Sequence, residues 1–210
     1  MKKYCIFDFD GTLVDSMGEW ARAMTAILDA EGIKYPDNII NILTPLGNMG
    51  AAELFLKMGV RGTKEELINR MSEYAFDAYS TRIRTKNGVK EFLERLKRNG
   101  HVLAVLTASP HVTLDACLEN NGIYGLFDKI WSVEDFGMTK SVPQIYTEAC
   151  RLLGAKPSET VFFDDNLTAI STAKSAGLMC VGVYDFTSDG DTEKIKEQSD
   201  LYIKSFEELL

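Results

Sequence analysis

Short apolar runs that alternate with amphipathic helical stripes restrict this chain more than any other feature. Five such runs stand out: "YCIF" from Tyr4, "HVLAVLT" from His101, "KIWSV" from Lys129, "TVFFDD" from Thr160 and "CVGVY" from Cys180. All are brief and rich in β-branched or aromatic residues, which predicts strands. Between them, Val89, Phe92, Leu93 and Leu96 fall at i, i+3, i+4 and i+7, with Gly100 just past the end as a C-cap. Ile145, Ala149, Leu152 and Leu153 repeat the stripe, closed by Gly154. Runs without polar alternation are buried on both faces, so the pattern predicts an α/β fold: a parallel, doubly wound sheet joined by right-handed crossovers.

Residues 16–84 break the alternation. This stretch has helical stripes such as Trp20, Met24, Ile27 and Leu28 but no strand pattern, so it reads as an all-α insertion just after the first strand. The predicted domains are therefore 1–15 with 85–210 as the core, and 16–84 as a small helical lid. Within the lid, "LTPLGNMG" (Leu43 to Gly50) carries a proline and two glycines and is expected to be an irregular loop between helices.

The balance of 31 acidic against 23 basic residues gives a formal charge of -8, and no basic cluster is present. That excludes the usual electrostatic footprint of a nucleic-acid binder. The apolar run after the N-terminal lysines breaks at Asp8, too short for a signal-peptide core or a membrane span, so no membrane partner and a cytoplasmic location are expected. A monomer or weak dimer is the expected state. The cysteines at 5, 117, 150 and 180 lack CxxC spacing and read as reduced, buried thiols. His101 and His111 have no partner at ligand spacing on the same element and read as ordinary structural or surface residues.

The chemistry concentrates where two of the runs end. "YCIFDFDGTLVDS" places Asp8 and Asp10 two residues apart, and "VFFDDN" ends in Asp164 and Asp165. In an open parallel sheet, ligands bind in the crevice at the carboxyl ends of the strands. A period of two puts Asp8 and Asp10 on one side, unless Asp10 already lies in the turn opened by Gly11. If the strands lie side by side, four carboxylates converge, and their mutual repulsion calls for a hard cation. An all-oxygen donor set that keeps waters and shares substrate phosphate oxygens suits Mg²⁺.

"DFDGT" at Asp8 to Thr12, "VLTAS" ending at Ser109, Lys140, and "FFDDN" at Phe162 to Asn166 followed by Ala176-Gly177 resemble, in that order, the haloacid dehalogenase-like hydrolases. The lid, placed directly after the first motif, resembles the helical cap of the branch holding phosphoglycolate phosphatases and β-phosphoglucomutases. The resemblance implies a Rossmann-like core and phosphoryl transfer through an aspartyl-phosphate. It makes Asp8 the nucleophile and Asp10 the general acid and base, the latter touching the metal through its backbone carbonyl. Asp164 and Asp165 would hold Mg²⁺, Thr107 and the Ala108 N–H would bind phosphoryl oxygens, and Lys140 would face both phosphate and nucleophile. Lys140 is followed by Ser-Val-Pro rather than directly by proline. Ser109 either touches phosphate or caps the helix near Pro110.

The implied substrate is a small phosphate ester. A second Asp in the first motif argues for phosphate chemistry over dehalogenation. The histidine that mutases of this type carry just beyond the motif is missing from "SMGEWARAM". A sugar phosphomutase and a non-catalytic binding module of the same fold stay open as alternatives. A phosphonatase would need a Schiff-base lysine in the lid, for which Lys57 and Lys64 are the available residues, both expected to be ordinary surface groups. The 43–50 segment has no Arg or Lys, which favours a weakly charged leaving group such as a sugar over phosphoglycolate.

Overall fold

A computed structural model describes residues 3–43 and 46–210, and for residues 20, 21, 41, 47 and 48 the backbone alone. Six strands, β1 (Tyr4–Phe7), β2 (Val102–Thr107), β3 (Lys129–Ser132), β4 (Thr160–Asp164), β5 (Met179–Val183) and β6 (Leu201–Ile203), form one sheet. The helices are α1 (Met17–Ala30), α2 (Ile39–Leu43), α3 (Gly47–Met58), α4 (Lys64–Thr81), α5 (Val89–Arg98), α6 (His111–Asn120), α7 (Pro143–Leu152), α8 (Leu167–Ser175) and α9 (Thr192–Gln198). The chain divides into two compact units, Met1–Asp15 with Arg84–Leu210, and Ser16–Ile83.

In the first unit every strand pair is parallel and the order is β3-β2-β1-β4-β5-β6. The winding therefore reverses at β1, between β2 and β4, which creates the crevice where such sheets bind ligands. Alternate residues serve opposite faces. Ile6, Ala104, Leu106 and Phe162 pack with Tyr146 and Ala149 of α7 and with Ile170 and Ala173 of α8. On the other face Phe7 stacks on Phe163 at 4.5 Å and meets Phe92 of α5 at 6.4 Å. Burial on both sides is the reason these strands read as unbroken apolar runs. The five expected strands are all present. β6 was not expected: it has three residues and edges the sheet, with Leu201 exposed, so no periodicity betrays it.

The second unit is helical. Met24, Ile27 and Leu28 of α1 pack with Phe55 of α3 and with Leu67 and Met71 of α4. α4 opens with a capping box in which the Thr63 hydroxyl accepts the Glu66 N–H while the Glu66 carboxylate accepts the Thr63 N–H. The side chain of Trp20, part of the expected α1 stripe, lies outside the described residues. The expected irregular loop at 43–50 is corrected in part. Leu43 closes α2, and Gly47 to Gly50 already belong to α3, while Thr44 and Pro45 lie outside the described residues. Burial of Ala51, Ala52 and Phe55 one turn later offsets the roughly 1 kcal/mol that each helical glycine gives up relative to alanine.

The division between the units falls one residue earlier than residue 84. Asp15 N–H donates to the Arg84 carbonyl at 3.0 Å and Lys86 N–H to the Leu13 carbonyl at 2.9 Å, around an antiparallel Val14–Thr85 bridge. These bonds zip the two connecting segments together, so Arg84 belongs with the sheet.

Candidate active site

The Asp8 N–H donates to the Phe163 carbonyl at 2.8 Å, extending the β1–β4 ladder one residue past β1. Asp8 therefore stands beside Asp164, the last residue of β4. Carboxylate oxygens of Asp8, Asp164 and Asp165 lie within 4.8 Å of one another, and all three residues are buried. Lys140 reaches into the group from the loop before α7: its Nζ donates to Asp8 Oδ1 at 2.5 Å and to Asp164 Oδ2 at 2.7 Å.

The expected convergence of four carboxylates is corrected to three among the described residues. The backbone turns immediately after β1, because the Phe9 carbonyl collects the N–H groups of Thr12, Leu13 and Val14 and Gly11 adopts φ +74°. Asp10 lies inside that turn. Its side chain is directed instead to the β2–α6 loop, where the Ser109 hydroxyl donates to Asp10 Oδ2. Ser109 does not cap α6 as one expectation had it: the N-cap of that helix is Pro110, and no side chain caps it.

Burial raises the pKa of Asp164, Lys140 opposes the rise, and Asp8 adds to it. Asp165 is raised well above the carboxylate range by burial and then by Asp164, Asp8 and Asp185. For Lys140, burial disfavours the ammonium, but Asp164 and Asp8 together overcome it and raise the lysine pKa. With all four groups ionised, three carboxylates and one ammonium leave two negative charges in a buried space. That is the charge a divalent cation neutralises, and the oxygen-only donor set suits a hard one. The residues present therefore fit a Mg²⁺ ion, while Asp164 also accepts the Asn166 N–H at 2.7 Å and Asp165 the Thr12 hydroxyl at 2.9 Å.

Thr107 is buried at the end of β2, its hydroxyl accepting the Ser109 N–H at 3.1 Å, and Ala108 is exposed in the following turn. The β1–β2 register pairs Phe7 with Val105, so Thr107 ends on the same edge of the sheet as Asp8.

Four further residues shape the site. Thr12 donates to Asp165 Oδ1 at 2.9 Å; it lay inside the quoted motif without a role. Gly11 passes so close that a Cβ there would sit 2.8 Å from Asp165 Oδ2. Tyr146 donates to the carbonyls of Lys140 at 2.9 Å and Ala169 at 3.2 Å and so ties the Lys140 loop to α8, a link that helix periodicity does not reveal. Asp185, buried after β5, is held by Lys86 Nζ at 2.9 Å. Its only signal in the sequence was a carboxylate shortly after another apolar run. The remaining candidates stay ordinary. All four cysteines are buried thiols outside any disulfide, His111 pairs with Asp135 and Asp115 at 2.9 and 3.3 Å, and Lys64 pairs with Glu53.

Fold and site together define a doubly wound α/β protein with a cation-seeking acidic centre at the switch point of its sheet. The model of the haloacid dehalogenase-like hydrolases matches residues 2–177, and the chain belongs to that family. It is similar to the validoxylamine A 7'-phosphate phosphatase of Streptomyces hygroscopicus subsp. limoneus, 28% identical over 100% of this chain and 96% of the relative. The phosphoglycolate phosphatase of Psychrobacter arcticus is 28% identical over 87% of this chain and 83% of that protein. Among solved structures, CbbY from Rhodobacter sphaeroides in complex with phosphate superposes with a TM-score of 0.81 at 25% identity, covering 100% of this chain and 96% of that one. The chain is accordingly a hydrolase whose curated relatives include several phosphatases. Among the described residues no helix is long and apolar enough to cross a membrane.

Proposed function

We propose that this hydrolase is a magnesium-dependent phosphatase that cleaves a small phosphorylated metabolite through an aspartyl-phosphate on Asp8. One observation carries the reading: three buried carboxylates lie within 4.8 Å of one another, and Lys140, which bonds two of them, leaves their charge uncompensated. Asp8, Asp164, Asp165 and the Asp10 carbonyl would hold Mg²⁺. When bound, the ion supplies charge neutralisation that lets a carboxylate approach a phosphate.

In the first half-reaction an Asp8 oxygen forms a bond to phosphorus while the ester oxygen departs with a proton from Asp10. In the second, water attacks the same phosphorus, Asp10 takes its proton, and inorganic phosphate leaves with Asp8 restored. The Ser109 hydroxyl holds Asp10 apart from the carboxylate trio, which suits a group that must exchange protons rather than bind metal. Thr107 and the Ala108 N–H would donate to the phosphoryl oxygens, and Lys140 would neutralise their charge at the moment of transfer.

In this reading the helical unit serves as the cap. Around α2 and α3 it exposes Leu46 and Met49, and segment 43–50 contains no Arg or Lys. An uncharged, sugar-like leaving group fits better than a second anion, and a relative that acts on validoxylamine A 7'-phosphate supports that preference. Release of inorganic phosphate from a panel of sugar and acid phosphates, with Mg²⁺ and then with EDTA, tests the proposal. Metal-dependent release favouring the sugars is expected. Transfer between positions of a sugar phosphate without release would replace it with a mutase, and no metal-dependent turnover at all would leave a binding module.

A further inference from the structure

The acidic centre accounts for one end of the sheet near β1 and β4. A separate cavity of about 360 Å³ lies within the sheet unit, where the loops after β5 and β6 meet the segment Arg84–Asn87. Asp8, Asp10, Thr107, Lys140, Asp164 and Asp165 contribute nothing to its wall, which adjoins the acidic centre through Asp185. We propose that this cavity is a second, non-catalytic binding site for a small molecule carrying a phosphonate, phosphate or carboxylate group on a flat apolar ring.

Charge comes first. Arg84, Lys86 and Lys204 line the cavity with Asp15 and Asp185, and at its rim Glu208 accepts the Lys204 and Ser205 N–H groups at 2.7 and 3.0 Å. Lys86 is committed to Asp185 at 2.9 Å and to the Tyr184 carbonyl at 2.7 Å. That ion pair explains Lys86 as a structural tie for a buried carboxylate. It does not explain Lys204, which is exposed and pairs with no carboxylate among the described residues. An exposed ammonium with no carboxylate partner among the described residues, on a concave surface, is a receptor for an anion.

Shape and polarity narrow the ligand. The wall includes buried Val183 and Phe206, whereas Tyr184 and Phe186 leave 37% and 51% of their surface exposed. Two exposed aromatic side chains in one loop, next to cations, offer ring faces for stacking together with charge for an anionic group. A bare ion would use only the charge. The volume lies at the lower end of the range for small-molecule sites, enough for one ring and one anionic group.

Phenylphosphonate, whose P–C bond is not an ester, is the probe. The protein is the full-length chain treated with EDTA, so that the uncompensated carboxylates of the acidic centre repel an anion there. Isothermal titration should give saturable binding of one molecule per chain, and inorganic phosphate should bind at least tenfold more weakly because it lacks the ring. Lys204→Glu should weaken phenylphosphonate binding tenfold or more while leaving the melting midpoint unchanged. Its Mg²⁺-dependent hydrolysis of p-nitrophenyl phosphate should equal that of the wild type. Absence of saturable binding to the wild type, or undiminished binding to Lys204→Glu, would overturn the site. Equal affinity for phosphate and phenylphosphonate would overturn the ring. The binding readout needs no turnover, so it stands apart from the catalytic proposal.

Discussion

Replacing Gly11 by alanine should damage the metal site far more than the fold, and a second glycine supplies the control. Gly100 has φ +77°, close to the +74° of Gly11, but nothing lies within 4 Å of where its Cβ would be. Gly100→Ala therefore isolates the backbone term: about 1–2 kcal/mol for an L-residue in the left-handed region, less the roughly 0.4–1 kcal/mol regained by restricting the unfolded chain. The net loss is about 1 kcal/mol, a drop of roughly 2–4 °C in melting midpoint for a chain of this size. At Gly11 the new methyl would stand 2.8 to 2.9 Å from all three atoms of the Asp165 carboxylate, where ordinary contact begins at 3.4 Å. The carboxylate must withdraw by several tenths of an ångström, away from its 2.9 Å bond with Thr12. Displacing a ligand in this way weakens metal binding by about 10–100-fold, by analogy with lost outer-shell support. Mg²⁺ titration of phosphate release, with melting of both variants in EDTA, makes the comparison. If Gly11→Ala keeps its Mg²⁺ half-saturation within twofold of wild type, Asp165 is not the metal ligand that the geometry implies.

Asp8→Asn should abolish phosphate release while circular dichroism and melting remain those of a folded chain, because the change removes a repelling charge. Asp10→Asn should slow both half-reactions, seen in the burst and in the steady state; a normal rate for either variant contradicts its role. Lys140→Met removes the one cation shared by two buried carboxylates and should lower the unfolding free energy of the metal-free protein by about 3–5 kcal/mol in urea. A loss below 1 kcal/mol would mean that those acids are protonated without it. Asp164 and Asp165 have folded pKa values above their unfolded ones, so the folded state binds the extra protons, and stability falls as pH rises from the ordinary carboxylate range near 4 through a folded value of about 7 for Asp164. Mg²⁺ relieves that repulsion, so the rise in melting midpoint on adding it should be larger at pH 8 than at pH 5.5; the reverse order would refute the linkage.

Much of the architecture was legible in the sequence because it depends on local pattern. Strands buried on both faces must be continuous apolar runs, which is why β1 to β5 could be read directly, and the helical stripes could be read for the corresponding reason. The two acidic pairs were visible because each follows such a run, where a carboxylate has no packing role. β6 escaped because three residues at a sheet edge carry no period. The start of α3 at Gly47 escaped because burial of Phe55 and its neighbours outweighs the breaking tendency of glycine.

What only the tertiary structure decided is which groups meet. Residue order put Asp10 beside Asp8, but the turn at Gly11 delivers Asp10 to Ser109, 99 positions away, and leaves Asp8 with Asp164 and Asp165. It also brought Thr12 to Asp165 and the Tyr146 hydroxyl to the Lys140 carbonyl. Periodicity fixes the direction in which a side chain leaves its own element, whereas its neighbours depend on strand order and on turns of a few residues. Such turns are set by single backbone angles and by contacts across the sheet, for which a linear sequence carries no distance.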